Sequence, residues 1–88
     1  MSNRNGPAIV TALFVPGSRP ERFAKALASG TGRVIVDFED AVEERLKQQA
    51  RHNLAEFLRS RCQARVMVRI NAPGHAQHAA DIDFCARH

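Results

Sequence analysis

The sequence contains no tryptophan and no tyrosine, and only two cysteines among 88 residues. Without those rings there is little on which to stack nucleobases, so a nucleic-acid binder has only charge in its favour. Cys62 and Cys85 lack zinc-ligand spacing, and a disulfide is a poor expectation for a cytosolic chain; both read as free thiols. No apolar run approaches the ~18 residues that cross a bilayer. The start, Met1 to Pro7, is too polar for a signal peptide. These absences predict a cytoplasmic protein with no membrane partner. There is also no block of like charge: 13 Lys and Arg face 9 Asp and Glu, for a net +4. Eleven of the basic residues are Arg, scattered from Arg4 to Arg87. That balance favours anionic partners but does not separate nucleic acid from a phosphorylated cofactor or an organic acid.

Hydrophobic residues make up 44% and charged residues 25%, close to the globular average, so the chain has material for a core. The length fits one small domain or a piece of a larger one. After a polar leader over 1–8, Ile9 to Val15 is a β-branched and aromatic run closed by Pro16-Gly17, which predicts a strand ended by a turn. Ser18 and Glu21 have capping-box spacing, and Arg19 before Pro20 is the competing cap; a helix starts here either way. Phe23, Ala26 and Leu27 supply its buried stripe, and Gly30 stands where it ends.

Val34 to Phe38 is a second short apolar run, continuous enough for a parallel strand covered on both faces. Asp40 is the expected cap of the helix that follows. In that helix Val42, Leu46, Ala50, Leu54, Phe57 and Leu58 recur at three and four, with Glu43, Glu44, Lys47, Gln48, Arg51 and Glu56 between them. Val66 to Ile70 is the third strand, stopped by Asn71-Ala72-Pro73-Gly74. A further helix is expected from Asp81. The order strand, helix, strand, helix, strand predicts an α/β unit over 9–71 with parallel strands and right-handed crossovers, followed by a loop and helix start over 72–88. Three such strands leave two sheet edges and one face bare unless more chain or another subunit covers them.

Strand alternation puts Val66, Val68 and Ile70 on one face and Met67 and Arg69 on the other. Likewise Val34, Val36 and Phe38 oppose Ile35, Asp37 and, if the extension persists, Glu39. The aliphatic faces belong under helices. The charges then converge at the carboxyl ends of the strands, where parallel α/β folds carry their ligand sites. A structural salt bridge accounts for any one of these charges, but Asp37, Glu39, Asp40 and Arg69 together, beside Pro16, Gly17 and Arg19, point to an anion or metal-linked site. Arg suits carboxylate through its planar fork. Lys25 alone reads as a solvated lysine. The Pro16-Gly17-Ser18 turn matches neither a Walker loop nor a dinucleotide fingerprint. His75 and His78 lack a third metal ligand and read as solvent-exposed, as does His52. Ser18 has no identifiable base.

Several stretches together resemble the citrate lyase beta-subunit and malyl-CoA lyase family of magnesium-dependent (β/α)8 TIM barrels. They are Leu13 to Pro20, Phe23 and Lys25, Val34 to Val42, Lys47, Ala50-Arg51, and Val68 to Ala72. The resemblance runs from about residue 9 to 83 and corresponds to the amino-terminal part of a member. A complete barrel needs about 250 residues, so this length supplies roughly three of its eight strands. The resemblance implies Mg2+-dependent retro-aldol or Claisen cleavage of a 3-hydroxyacyl thioester, citryl- or malyl-CoA-like, carried on CoA or on a carrier-linked group. By position, Arg69 matches a substrate-binding arginine, and Phe14, Arg19 and Lys25 match positions that contact substrate or CoA. Asp37 and Glu39 match acidic residues lining the metal and substrate pocket. Phe38 replaces the leucine usual in the acidic motif. The family's direct magnesium ligands, a Glu and an Asp on later strands, have no counterpart here, which implies an isolated chain that is inactive and needs a completing chain or homo-oligomer. The rival expectation is a non-catalytic assembly module that pairs through its open sheet edges.

Overall fold

The computed structural model describes residues 12–30, 32–61 and 64–88. The leader, the predicted strand residues 9–11 and Cys62 lie outside the described residues. Strand β1 covers Ala12–Pro16, helix α1 Phe23–Ala28, β2 Arg33–Asp37, α2 Lys47–Ser60, β3 Met67–Arg69 and α3 His78–Arg87, with 3-10 turns over Pro20–Arg22 and Glu44–Leu46. The strands form one sheet in the order β1-β2-β3, both pairs parallel. This is the α/β arrangement that the alternating pattern predicts. Among the described residues no helix is long and apolar enough to cross a membrane.

One sheet face is closed by the helices. Val15, Val34, Val36 and Phe38 are buried there with Phe23, Ala26, Ala50, Leu54 and Phe84. Two edge-on aromatic pairs, Phe23 with Phe57 and Phe38 with Phe84, each at 5.4 Å between centroids, tie α1 to α2 and β2's end to α3. Removing side chains of this size from water stabilises by about 1.5–3 kcal/mol each. On the opposite face, Phe14 and Met67 remain 49% and 48% exposed.

Before α1 the structure selects between the two candidate caps, and two later helix starts differ from expectation. Ser18 makes no cap hydrogen bond, and Arg19 occupies the cap position with Pro20 behind it. Asp40 caps nothing: the 3-10 turn leading into α2 starts after Glu43 and α2 itself at Lys47, because the Asp37 carboxylate takes the amides of Glu39 and Ala41 and holds 38–41 in a turn. The last helix begins at His78, three residues earlier than expected. Gly30 has φ +81°, the left-handed stop anticipated after α1.

The turn after β1 is packed against α2. Gly17 donates its N–H to the Asp37 carbonyl at 2.8 Å, and its own carbonyl accepts from Asn53 Nδ2 at 3.0 Å. A Cβ on Gly17 would meet the Ala50 Cβ at 2.8 Å and Phe38 Cδ1 at 3.1 Å. Gly17→Ala therefore forces α2 off the sheet, and a loss of about 1–3 kcal/mol is expected by urea denaturation, the usual range for overpacking.

Candidate functional site

The parallel register sets Pro16 beside Asp37 and Asp37 beside Arg69, the last residues of the three strands. Alternation turns Asp37 and Arg69 to the face without helices. There they form a two-point fork: Arg69 Nε donates to Asp37 Oδ1 at 3.0 Å and Nη2 to Oδ2 at 2.6 Å. The backbone completes the carboxylate's shell, Glu39 N donating to Oδ1 at 2.8 Å and Ala41 N to Oδ2 at 3.1 Å. Asp37 is 1% exposed. Burial raises its pKa, but the Arg69 hydrogen bonds, the two amides and the Arg69 charge outweigh that and hold it below the ordinary carboxylate range. The same hydrogen bond to Asp37, against some desolvation, raises Arg69.

Arg69 keeps 40% of its side chain open. Its guanidinium lies 5.0 Å from the centre of the Phe14 ring, with Glu39 Oε1 at 3.5 Å from Nε and Asp40 Oδ2 at 4.0 Å from Nη2. The structure thus brings together Arg69, Asp37, Glu39, Asp40 and Phe14. Phe14 also lines a groove of about 430 Å³ along β1, shared with Arg22 and Lys25. Arg19 stands apart, exposed and 3.7 Å from Glu21.

A polar layer behind the cluster is the part that residue patterns did not show. Lys47, expected among the outward positions of its helix, is 3% exposed, and its Nζ donates to the carbonyls of Phe38 at 3.0 Å and Glu39 at 2.7 Å. The signal was present: Lys47 is spaced i+3 and i+7 from Ala50 and Leu54, the buried face of α2. Asn71 donates Nδ2 to the Phe38 carbonyl and to Asp81, and buried Asp81 accepts in turn from Arg51 Nη1 at 2.8 Å. Neither loop histidine is simply solvated. His75 Nε2 meets the Glu44 carboxylate at 3.0 Å, and His78 Nδ1 lies 2.7 Å from the Asn71 carbonyl. His52 is on the surface of α2, as expected, and Cys85 is a free thiol.

Magnesium seeks near-octahedral oxygen ligands. Both oxygens of Asp37 already carry two donors each, and no group of three His, Cys, Asp or Glu among the described residues could hold a metal. These residues therefore do not make a direct magnesium cage. What they make is a fixed guanidinium with spare donors, in an acidic setting, at the carboxyl ends of parallel strands.

A parallel sheet with helices on one face and a charged cluster at its strand ends is the construction of an α/β barrel sector. The chain matches the HpcH/HpaI aldolase/citrate lyase family over residues 10–87 and belongs to it. It is 46% identical over 74 residues to a citrate lyase subunit beta-like protein of Mycobacterium tuberculosis, a match covering 84% of this chain and 26% of the relative. Two solved structures from that organism agree at 44% identity. One, of protein CitE with magnesium, acetoacetate and coenzyme A, has a TM-score of 0.68 and is matched over 85% of this chain and 27% of its own. The other, a citrate lyase beta subunit with oxaloacetate and magnesium, has a TM-score of 0.67 over 85% and 32%. The chain thus spans about a quarter to a third of the relatives it matches.

The Asp37 shift has a pH signature. A carboxyl depressed by folding stabilises the native state above its ordinary pKa of about 3.9, and that contribution is lost as pH falls through the lower folded value. Urea midpoints are expected to separate the chain from Asp37→Asn at neutral pH and to converge only in acid below about 3.9. A gap independent of pH would contradict the ionised pair.

Proposed function

We propose that this chain forms the carboxylate-binding wall of a carbon–carbon lyase that cleaves a 3-hydroxyacyl thioester, citryl- or malyl-CoA-like, into a 2-oxo acid and an acetyl thioester. The observation that carries the reading is the Arg69 fork. Asp37 occupies Nε and one Nη2 hydrogen, leaving the Nη1 pair and a second Nη2 hydrogen to donate to a substrate carboxylate. Because Asp37 fixes the guanidinium beforehand, little reorganisation accompanies binding. Phe14 lies over one side of the guanidinium, a cation–π contact that leaves the other side open to a ligand. Lys25 and Arg22, along the groove beyond Phe14, are placed for the anionic portion of a CoA or carrier-linked thioester. Arg19 reaches that carrier only from further out. Glu39 and Asp40 face the substrate side of Arg69 and hold water or an outer metal shell. Magnesium, bound in the relatives, would polarise a substrate oxygen using ligands outside these residues. With no such ligand group among the described residues and no assigned base, the chain by itself is expected to be inactive.

A hybrid barrel in which residues 10–87 replace the matching stretch of the Mycobacterium tuberculosis relative tests this. It is expected to bind acetoacetate with magnesium. Arg69→Ala should weaken that binding by about thirtyfold or more, the scale of truncating a hydrogen-bonded charge. Arg69→Lys should recover only part, since an ammonium lacks the fork. Equal affinity in all three proteins would remove Arg69 from the site.

The exposed Phe14 and Met67 on the open face, with β1 and β3 each paired only to β2 among the described residues, favour a second reading. In it the chain is an assembly module that joins a complementing chain or a second copy. Sedimentation is expected to show association at micromolar concentration; a folded monomer throughout would oppose it.

A further inference from the structure

We infer that Lys47 is a positioning residue for Arg69, acting through the peptide planes of the 38–40 turn rather than through its charge; the inference rests on the proposed function only in naming Arg69 as the ligand-binding group. Nothing about the helix explains a lysine there. Position 47 is the first residue of α2, where a cation opposes the helix dipole. Its side chain is buried, which is costly for an ion without compensating partners. Apolar residues of similar length would fill the space. What the ammonium does contribute is two hydrogen bonds, to the Phe38 and Glu39 carbonyls at 3.0 and 2.7 Å.

The covalent geometry carries that contact to the site. A trans peptide is planar, with its C=O and N–H pointing in opposite directions, and no cis bond occurs among the described residues. The Phe38 carbonyl and the Glu39 N–H belong to one plane. Lys47 pulling on the carbonyl aims that N–H away from itself, and it lands on Asp37 Oδ1 at 2.8 Å. The next plane is held by its carbonyl, Glu39 O, ahead of the Ala41 N–H that meets Asp37 Oδ2. Asp37, clamped from behind by these two amides, presents its remaining lone pairs to Nε and Nη2 of Arg69. Lys47 touches neither Asp37 nor Arg69. Its effect on both runs through backbone, and Asn71, on the same Phe38 carbonyl, shares only the first of the two planes.

Lys25 and Lys47 are the two lysines of the sequence, so the ¹⁵N-labelled 88-residue chain gives one exposed and one buried ammonium. The ammonium protons of Lys47 are expected to exchange at least tenfold more slowly than those of Lys25; equal rates overturn the inference before any variant is made. In Lys47→Met, the Glu39 amide and the Arg69 Nε–H are expected to lose at least tenfold in exchange protection while the Val36 amide in mid-strand changes by less than threefold, and Lys47→Arg restores part of the loss. Unchanged protection at Arg69 overturns it. So does an equal loss at Val36 and Arg69, which marks a purely structural lysine. Should Lys47→Met not fold, Lys47→Gln, which can reach one carbonyl only, is read in the same way and against the same limits. No substrate enters these measurements, so failure of the lyase reading in the hybrid barrel and failure of this inference are separate results.

Discussion

The structure depends on one carboxylate having its four hydrogen-bonding positions filled from two directions. Two donors on Asp37 come from the turn that follows its own strand, and two from the arginine at the end of the next. An aspartate this buried is tolerated only when it is paired and fully hydrogen-bonded. The same bonds shape the chain locally. By taking the amides of Glu39 and Ala41, Asp37 delays α2 and the 3-10 turn before it until after Glu43 and opens the space in which Glu39 and Asp40 sit near Arg69.

A second layer of buried polar groups supports this first one. Lys47, Asn71, Asp81 and Arg51 join the end of β2, the end of β3, α2 and α3 into one hydrogen-bonded set. Nearly every donor and acceptor in it is matched; the side-chain oxygen of Asn71 is the unpartnered buried atom among the described residues. Such networks rigidify when they are satisfied. In the proposed role of Arg69 that rigidity matters, because a fork already fixed would lose little freedom when a ligand arrives.

Much of this was legible in the sequence, and the limits are physical. Alternation alone places Asp37 and Arg69 on one face, and the strand and helix order requires a parallel sheet, so the core of the candidate site follows from period-two counting. Residues that act through backbone contacts were harder to read. Lys47 reads with its polar neighbours because a charged residue is usually solvated, although its spacing from Ala50 and Leu54 marks the buried face. Asp40 has the right chemistry for a cap, but Asp37 folds the chain after it into a turn through the Glu39 and Ala41 amides, and the Val42 amide donates to the Glu39 carbonyl instead. The onset of α3 at His78 is hard to read because Ala79 and Ala80 give a weak apolar signal and the buried residue of its first turn is a carboxylate, Asp81. The family resemblance covered the motifs that carry Lys47, Arg51 and Asn71 without revealing what those residues touch.

The third strand is only three residues long and is aligned on β2 through Ile35 with Met67, Val36 with Val68, and Asp37 with Arg69. Sliding it by a single position would turn Arg69 under the helices and Val68 outward, since side chains alternate without exception along a strand. So short a ladder has few backbone bonds with which to resist that slide. The guanidinium fork, together with the Phe38 amide donating to the Arg69 carbonyl at 2.9 Å, acts as the pin. On the proposed reading, ligand choice and strand alignment therefore draw on the same two side chains, and a substitution that retunes one disturbs the other.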